Sequence, residues 1–117
     1  MTKLDDPTRL QHMMDSAQKL LKFSADKTKE AIESDEVLSL AIVRLTEIIG
    51  EAAANVSQEK RDRYSQIQWG RIIGMRNRIV HAYFDIDMEV VWQTITQDIP
   101  ILISQLEAVF RDEGIEL

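Results

Sequence analysis

Apolar residues recur in this chain at three- and four-residue steps, through one segment after another, and that period restricts the possible fold more than any other feature. Steps of three and four place side chains on one face of a helix, whereas a half-buried strand needs strict alternation. Leu10, Met13, Met14, Ala17, Leu20, Leu21 and Ser24 trace a first stripe, and Leu38, Ala41, Ile42, Leu45, Ile48, Ile49 and Ala52 a second. Trp69, Ile72, Ile73, Ile79 and Val80 form a third, and Val90, Val91, Ile95, Ile99, Leu102, Leu106, Val109 and Phe110 a fourth. Helices with one apolar stripe must bury it against one another. The expected fold is therefore all-α, an antiparallel bundle of four to five helices joined by short loops. With 117 residues, the chain is expected to form a single helical domain over 1–117.

Capping residues set the expected boundaries. Asp6-Pro7 opens the first helix, since Asp accepts from orphan N–H groups and Pro is tolerated in the first turn; this helix is expected to end near Ile32. Ser34, followed by Asp35 and Glu36, is expected to cap a second helix running to about Asn55, and Ser57 a short polar one over Gln58 to Tyr64. The fourth contains Gly70 and Gly74, each costing ~1 kcal/mol relative to Ala, so their spacing is read as room for a neighbouring helix. Asp85-Ile86-Asp87 is a break carrying a new cap. In the helix that follows, Pro100 has to kink or divide the rod, and Gly114 suits its C-terminal cap.

Composition removes several functions. Without cysteine there is no disulfide and no thiolate metal site, which fits a reducing, cytoplasmic setting. The N-terminus lacks an apolar targeting core, and no apolar run approaches the ~20 residues that span a bilayer, so no membrane association is expected. His12 and His81 are the only histidines, which makes a histidine-rich metal centre unexpected; neither metal nor cofactor is anticipated. His12, beside the first stripe with no motif around it, is read as a surface or boundary residue and not a catalytic one.

A net charge of -6 argues against unaided binding to bulk nucleic acid, which gains affinity by exchanging counterions for Lys and Arg. The charge is segregated, however. Lys60, Arg61, Arg63, Arg71, Arg76 and Arg78 face only Asp62 between residues 60 and 80, a local balance of +5 that leaves -11 elsewhere.

Chemistry-bearing residues concentrate in Arg76-Asn77-Arg78-Ile79-Val80-His81-Ala82-Tyr83. Imidazole is suited to moving the proton of a ribose 2′-hydroxyl, and guanidinium to stabilising charge on non-bridging phosphate oxygens. On an unbroken helix Arg76 and His81 would stand about 140° apart, while Asn77 would stack beneath His81. They meet at one phosphate only if the Arg side chain wraps round, the helix distorts at its end, or a second subunit supplies the opposite wall; a symmetric dimer is the simplest solution. Asn77 is a candidate partner for the imidazole or phosphate, and Arg78 for a flanking phosphate. Tyr83 reads as a half-buried aromatic with its hydroxyl at the rim, Trp69 and Trp92 as core anchors, and Glu51 as water-facing beside a close helix crossing at Gly50.

These residues resemble the HEPN superfamily, and within it the HepT-like toxins of toxin–antitoxin pairs. The R-x-x-x-x-H-x-Y pattern is met by Arg76, His81 and Tyr83, with Asn77 as the polar residue after the Arg. Similarity continues through Asp6-Pro7, Arg44, Ile48-Ile49-Gly50-Glu51-Ala52, Trp69, Ile73-Gly74-Met75, Phe84-Asp85-Ile86-Asp87 and Val91-Trp92, nearly the whole chain. The resemblance implies a HEPN-like helical homodimer with a composite cleft and metal-independent ribonuclease activity on RNA. It also implies a cognate antitoxin, an MntA-like minimal nucleotidyltransferase that transfers AMP to the motif tyrosine, here Tyr83. The competing expectation, which the acidic overall charge favours, is a non-catalytic subunit that binds a nucleotide or that nucleotidyltransferase.

Overall fold

The computed structural model describes residues 5–81 and 85–116. Helix α1 (Asp6–Ser24) lies along α3 (Glu36–Asn55), with α2 (Lys29–Ser34) between them in sequence. After α4 (Gln58–Arg63), the short helices α5 (Trp69–Ile73) and α6 (Met75–Ile79) pack against α3. Then α7 (Met88–Gln93) continues through a π-helical turn, Thr94–Asp98, into α8 (Ile99–Glu113), which also rests on α1. The molecule is an all-α bundle, as the periodicity requires, and its described residues form no strand beyond one isolated bridge, Val80 to Ile86.

Two long-range ties show the antiparallel arrangement. The Asp6 carboxylate accepts from both the Ser57 N–H at 2.9 Å and its hydroxyl at 2.7 Å, fastening the start of α1 to the end of α3. From the end of the π-turn along α8, Asp98 meets Arg71, Gln105 donates to the Gln66 carbonyl, and Asp112 accepts from the Tyr64 hydroxyl, so α8 runs opposite to the 64–71 segment. The interior is built from the stripes themselves: Leu10, Met13, Met14, Leu20, Ile42, Ile49, Ile79, Ile99, Leu106 and Phe110 are nearly or fully buried, each such side chain contributing about 1.5–3 kcal/mol relative to exposure.

Several boundaries fall elsewhere than expected. The first helix stops at Ser24, whose hydroxyl bonds back to the Leu20 carbonyl at 2.8 Å; Asp26 adopts positive φ (60°), and Thr28 caps α2. The caps of α1 and α3 are Asp5 and Asp35, one residue before and one after the expected Asp6 and Ser34. Asp6 is released for Ser57, and Ser34 ends α2 by donating to the Ala31 carbonyl. Ser57 does cap α4. The helix over 69–80 divides at Gly74, and neither of its glycines receives a neighbouring helix: a Cβ at Gly70 would meet nothing, and one at Gly74 would meet chiefly the Gly70 carbonyl. The close approach is at Gly50, where a Cβ would sit 3.0 Å from the Ile73 carbonyl oxygen; the crossing expected there is real. Pro100 lies in the first turn of α8, and the irregularity it demands appears upstream as the π-turn, because its missing N–H interrupts the regular ladder. Gly114 caps α8 in the left-handed conformation, as anticipated. Trp69 is a core anchor that donates to the Tyr64 carbonyl at 3.1 Å, whereas Trp92 is only half-buried.

Candidate functional site

The contact of α3 with α5 and α6, made possible by Gly50, sets Arg76 beside the outward face of α3. There a cavity of about 420 Å³ opens, lined by Thr46, Glu47, Gly50, Glu51, Ala54, Ile73 and Arg76. The Arg76 Nε donates to Glu47 Oε1 at 3.3 Å, and Glu47 Oε2 accepts from Arg44 Nη1 at 3.3 Å. One carboxylate therefore holds two guanidiniums. A guanidinium bound through Nε keeps its terminal nitrogens for another acceptor, and the Arg76 side chain is 40% exposed. Glu47, which sequence reasoning passed over, is 29 residues from Arg76, and no spacing rule connects them. Glu51, read as water-facing, is exposed and borders the same cavity as Arg76.

His81 is reached by a different route. Helix α6 ends at Ile79, and Val80 is extended (φ -109°, ψ 116°), so helical geometry does not extend to His81 and Asn77 does not stack beneath it. Instead the segment beyond α6 pairs with the segment before α7. The His81 N–H donates to the Asp85 carbonyl at 3.1 Å, the Asp87 N–H to the Ile79 carbonyl at 2.7 Å, and Val80 bridges Ile86. This pairing carries the imidazole onto Asp87, with His81 Nε2 3.0 Å from Asp87 Oδ2. The other oxygen, Oδ1, accepts from the Val90 N–H and caps α7. Hydrogen bonds from His81 and Val90 hold the Asp87 carboxyl below the ordinary carboxylate range. The capping role of Asp87 was legible in the sequence; its grip on His81 was not.

The remaining candidates are dispersed. Asn77 is exposed on α6. Arg78 turns toward α5 and the π-turn: its Nη1 donates to the Arg71 carbonyl at 2.8 Å, and Asp98 lies 3.8 Å from Nη2. Burial, then the neighbouring Arg71, pulls the Arg78 guanidinium below its ordinary value, with Asp98 opposing. Tyr83 lies outside the described residues. His12 is exposed, as its reading required.

The basic segment is mostly neutralised by acids from distant sequence. Lys60 and Arg63 meet Glu113, Arg63 also meets Asp112, and Arg71 and Arg78 share Asp98. The +5 of local sequence is thus no open basic face.

A helical bundle that turns one loosely held guanidinium and one carboxylate-bound imidazole toward solvent belongs to the class of small all-α domains offering polar chemistry outside the core. Residues 13–109 match the family described as ribonuclease HepT-like, and this chain belongs to that family. It is 35% identical over 104 residues to a protein of Caldanaerobacter subterraneus subsp. tengcongensis named as a candidate RNase, covering 89% of this chain and 93% of the relative. A candidate RNase of Methanocaldococcus jannaschii is 28% identical over 109 residues, 93% of this chain and all of the relative. A protein of Thermococcus cleftensis named as a probable ribonuclease HepT is 31% identical over 98 residues, 84% of this chain and 89% of the relative. No solved structure matches the chain. No helix among the described residues is long and apolar enough to cross a membrane.

Proposed function

We propose that this protein is a ribonuclease toxin that cleaves RNA without a metal ion, using Arg76 and His81. Membership of the ribonuclease HepT-like family supports the reading, and so do the names of its relatives. The observation that carries it is the state of the two side chains: both are accessible, each is held by a single carboxylate, and neither is spent on the core. His81 takes the proton from the ribose 2′-hydroxyl; the 2′-oxygen attacks phosphorus; the bond to the 5′-oxygen breaks and that oxygen takes up a proton. The products are a 2′,3′-cyclic phosphate and a 5′-hydroxyl. Arg76 stabilises the charge on the non-bridging oxygens. Asn77, exposed nearby on α6, is assigned contact with the same phosphate, whereas Arg78, engaged with the Arg71 carbonyl and Asp98, is given no phosphate.

Two copies build the cleft in this reading. Val37, Leu40, Arg44, Glu47, Glu51 and Ala54 form a continuous stripe on α3, and the large apolar residues in it are conspicuously open, with Val37 79% and Leu40 44% exposed. At its centre the stripe is self-complementary in charge. A two-fold axis midway between Arg44 and Glu47 sets Arg44 opposite the other copy's Glu47, and Val37 opposite its Ala54. Such pairing roofs the cavity beside Arg76. The antitoxin is an MntA-like nucleotidyltransferase, which silences the enzyme by adenylylating Tyr83. The added bulk and phosphodiester charge, two residues from His81, repel and occlude an RNA phosphate.

The test is cleavage of total cellular RNA in EDTA by protein made without an MntA-like nucleotidyltransferase. Wild type is expected to leave cyclic-phosphate ends and His81→Ala none. An identical pattern from both proteins overturns the reading. Intact mass with and without a co-expressed MntA-like nucleotidyltransferase reads the modification of Tyr83.

A further inference from the structure

The geometry points to Asp87 as a positioning residue that fixes the tautomer of His81, so that Nδ1 is the atom that accepts the substrate proton. The inference rests on the ribonuclease reading for its consequence but not for its geometry. Asp87 is anchored at three points: its N–H donates to the Ile79 carbonyl, Oδ1 accepts from the Val90 N–H, and Oδ2 faces His81 Nε2 at 3.0 Å. The His81 backbone is held as well, its N–H donating to the Asp85 carbonyl.

An ionised carboxylate only accepts hydrogen bonds, so the Nε2 facing it carries the proton. In the neutral ring Nδ1 is then bare. It projects from a side chain that remains 55% exposed, where a ribose hydroxyl has access to it. With the Asp87 carboxyl held low by His81 and Val90, the carboxylate persists through the neutral range. Lys29 of the neighbouring α2 also lowers the Asp87 carboxyl, and it is itself paired with Glu89 of α7. That pairing leaves Asp87 as the direct partner of the imidazole among the described residues.

Asp87→Asn separates this role from capping. Asn is as good a helix cap as Asp, so Oδ1 still receives the Val90 N–H, but Nδ2 replaces Oδ2 and offers N–H groups to Nε2. The substitution therefore favours the opposite tautomer, with the proton on Nδ1. The experiment is two-dimensional NMR of protein labelled with 15N-histidine, at a pH where the ring is neutral; a His12→Asn variant assigns the two histidines. Wild type is expected to show His81 as the Nε2–H tautomer, and Asp87→Asn to shift it toward Nδ1–H. With RNA, kcat is expected to fall on the order of 10–100-fold, the scale set by outer partners that orient ligating histidines, while KM stays near wild type. Asp87→Ala is expected to lower both kcat and Tm, and Asp87→Asn kcat alone.

An Nδ1–H ring in wild type, or the same tautomer in wild type and Asp87→Asn, overturns the inference whatever the enzymology. If neither wild type nor variant cuts RNA but the tautomer changes as stated, the positional role stands and the ribonuclease reading falls. Changed tautomer with unchanged kcat removes Nδ1 as the proton acceptor and overturns the catalytic half of the proposal.

Discussion

The same basic stretch of sequence supplies cations to two places in this molecule, and they meet opposite fates. Where α4 lies against the end of α8, Lys60, Arg63 and the Tyr64 hydroxyl converge on Asp112 and Glu113, with Tyr64 at 2.5 Å from one carboxylate and 2.8 Å from the other. Arg63 also stacks over the Tyr64 ring, 5.6 Å from its centroid. Beside α3, by contrast, Arg76 has one carboxylate contact, itself shared with Arg44, and stands at the edge of an open cavity. The first cluster is saturated and closes the fold. The second is held in place with donors to spare, which is the condition for binding an outside anion. Local charge in the sequence does not separate the two; the number of acids delivered to each by the folded chain does.

The sharpest way to break this contrast is to remove the spare groups. Arg76→Ala and His81→Ala are each expected to reduce RNA cleavage by ~10²-fold or more, the usual scale of a lost acid–base or charge-stabilising group, with little change in Tm because neither supports the core. Gel-resolved cleavage rates and a thermal melt decide it; a large drop in Tm would place these residues with the saturated cluster instead.

The next effect is structural. Gly50→Val forces branched carbons against the Ile73 carbonyl, already 3.0 Å from where the first would sit, and is expected to cost about 1–3 kcal/mol in denaturant unfolding. Because that crossing supports the cavity wall, the variant should also lose activity beyond its loss of folded protein.

A smaller effect is expected at the saturated end. Tyr64→Phe removes two hydrogen bonds to carboxylates and is expected to cost about 1–2 kcal/mol, with cleavage unaffected. Burial, together with Asp112 and Glu113, raises the Tyr64 phenol well above its ordinary value, so the folded protein holds this proton longer than the unfolded chain. Its stabilisation is therefore complete below about pH 10 and is lost as pH rises beyond the unfolded phenol value; Tyr64→Phe should lack that alkaline limb. Glu113 behaves in the reverse sense: bonds from Lys60 and Tyr64 hold its carboxyl low, so its contribution is present above the unfolded carboxylate value and is lost as pH falls through the folded one. Unfolding followed across pH reads both limbs.

The smallest effect belongs to the exposed pair Lys29–Glu89, whose acid is 78% exposed. Glu89→Ala is expected to change stability by less than about 1 kcal/mol, and a double-mutant cycle with Lys29→Ala gives the pair's own share. A loss of cleavage there would show that α7 reports on the His81–Asp87 arm.

Much of the fold was legible because it is written in local periods and local caps. The stripes that begin at Leu10 and Leu38 became the buried faces of α1 and α3, the one that begins at Val90 spread over α7, the π-turn and α8, and Gly50, Ser57, Asp87 and Gly114 act where their chemistry said they should. The site was legible as a list and misplaced as a geometry. Reading Arg76 and His81 on one helical wheel fails because the helix ends at Ile79, an event decided by the pairing of residues 79–81 with 85–87 and not by any breaker between Arg76 and His81.

The amino-acid order alone therefore determined an all-α bundle, the caps at Ser57, Asp87 and Gly114, and the short stretch that holds an Arg and a His, since each depends on interactions within a few residues. Only the tertiary structure decided that Glu47 would hold Arg76 and Asp87 would hold His81, and that Arg78 would turn away toward Asp98. It also decided which of six clustered cations would be neutralised by distant acids. Electrostatic partners are chosen by proximity in space, and proximity between α3 and α6, or between α5 and the π-turn, exists only once the stripes have packed.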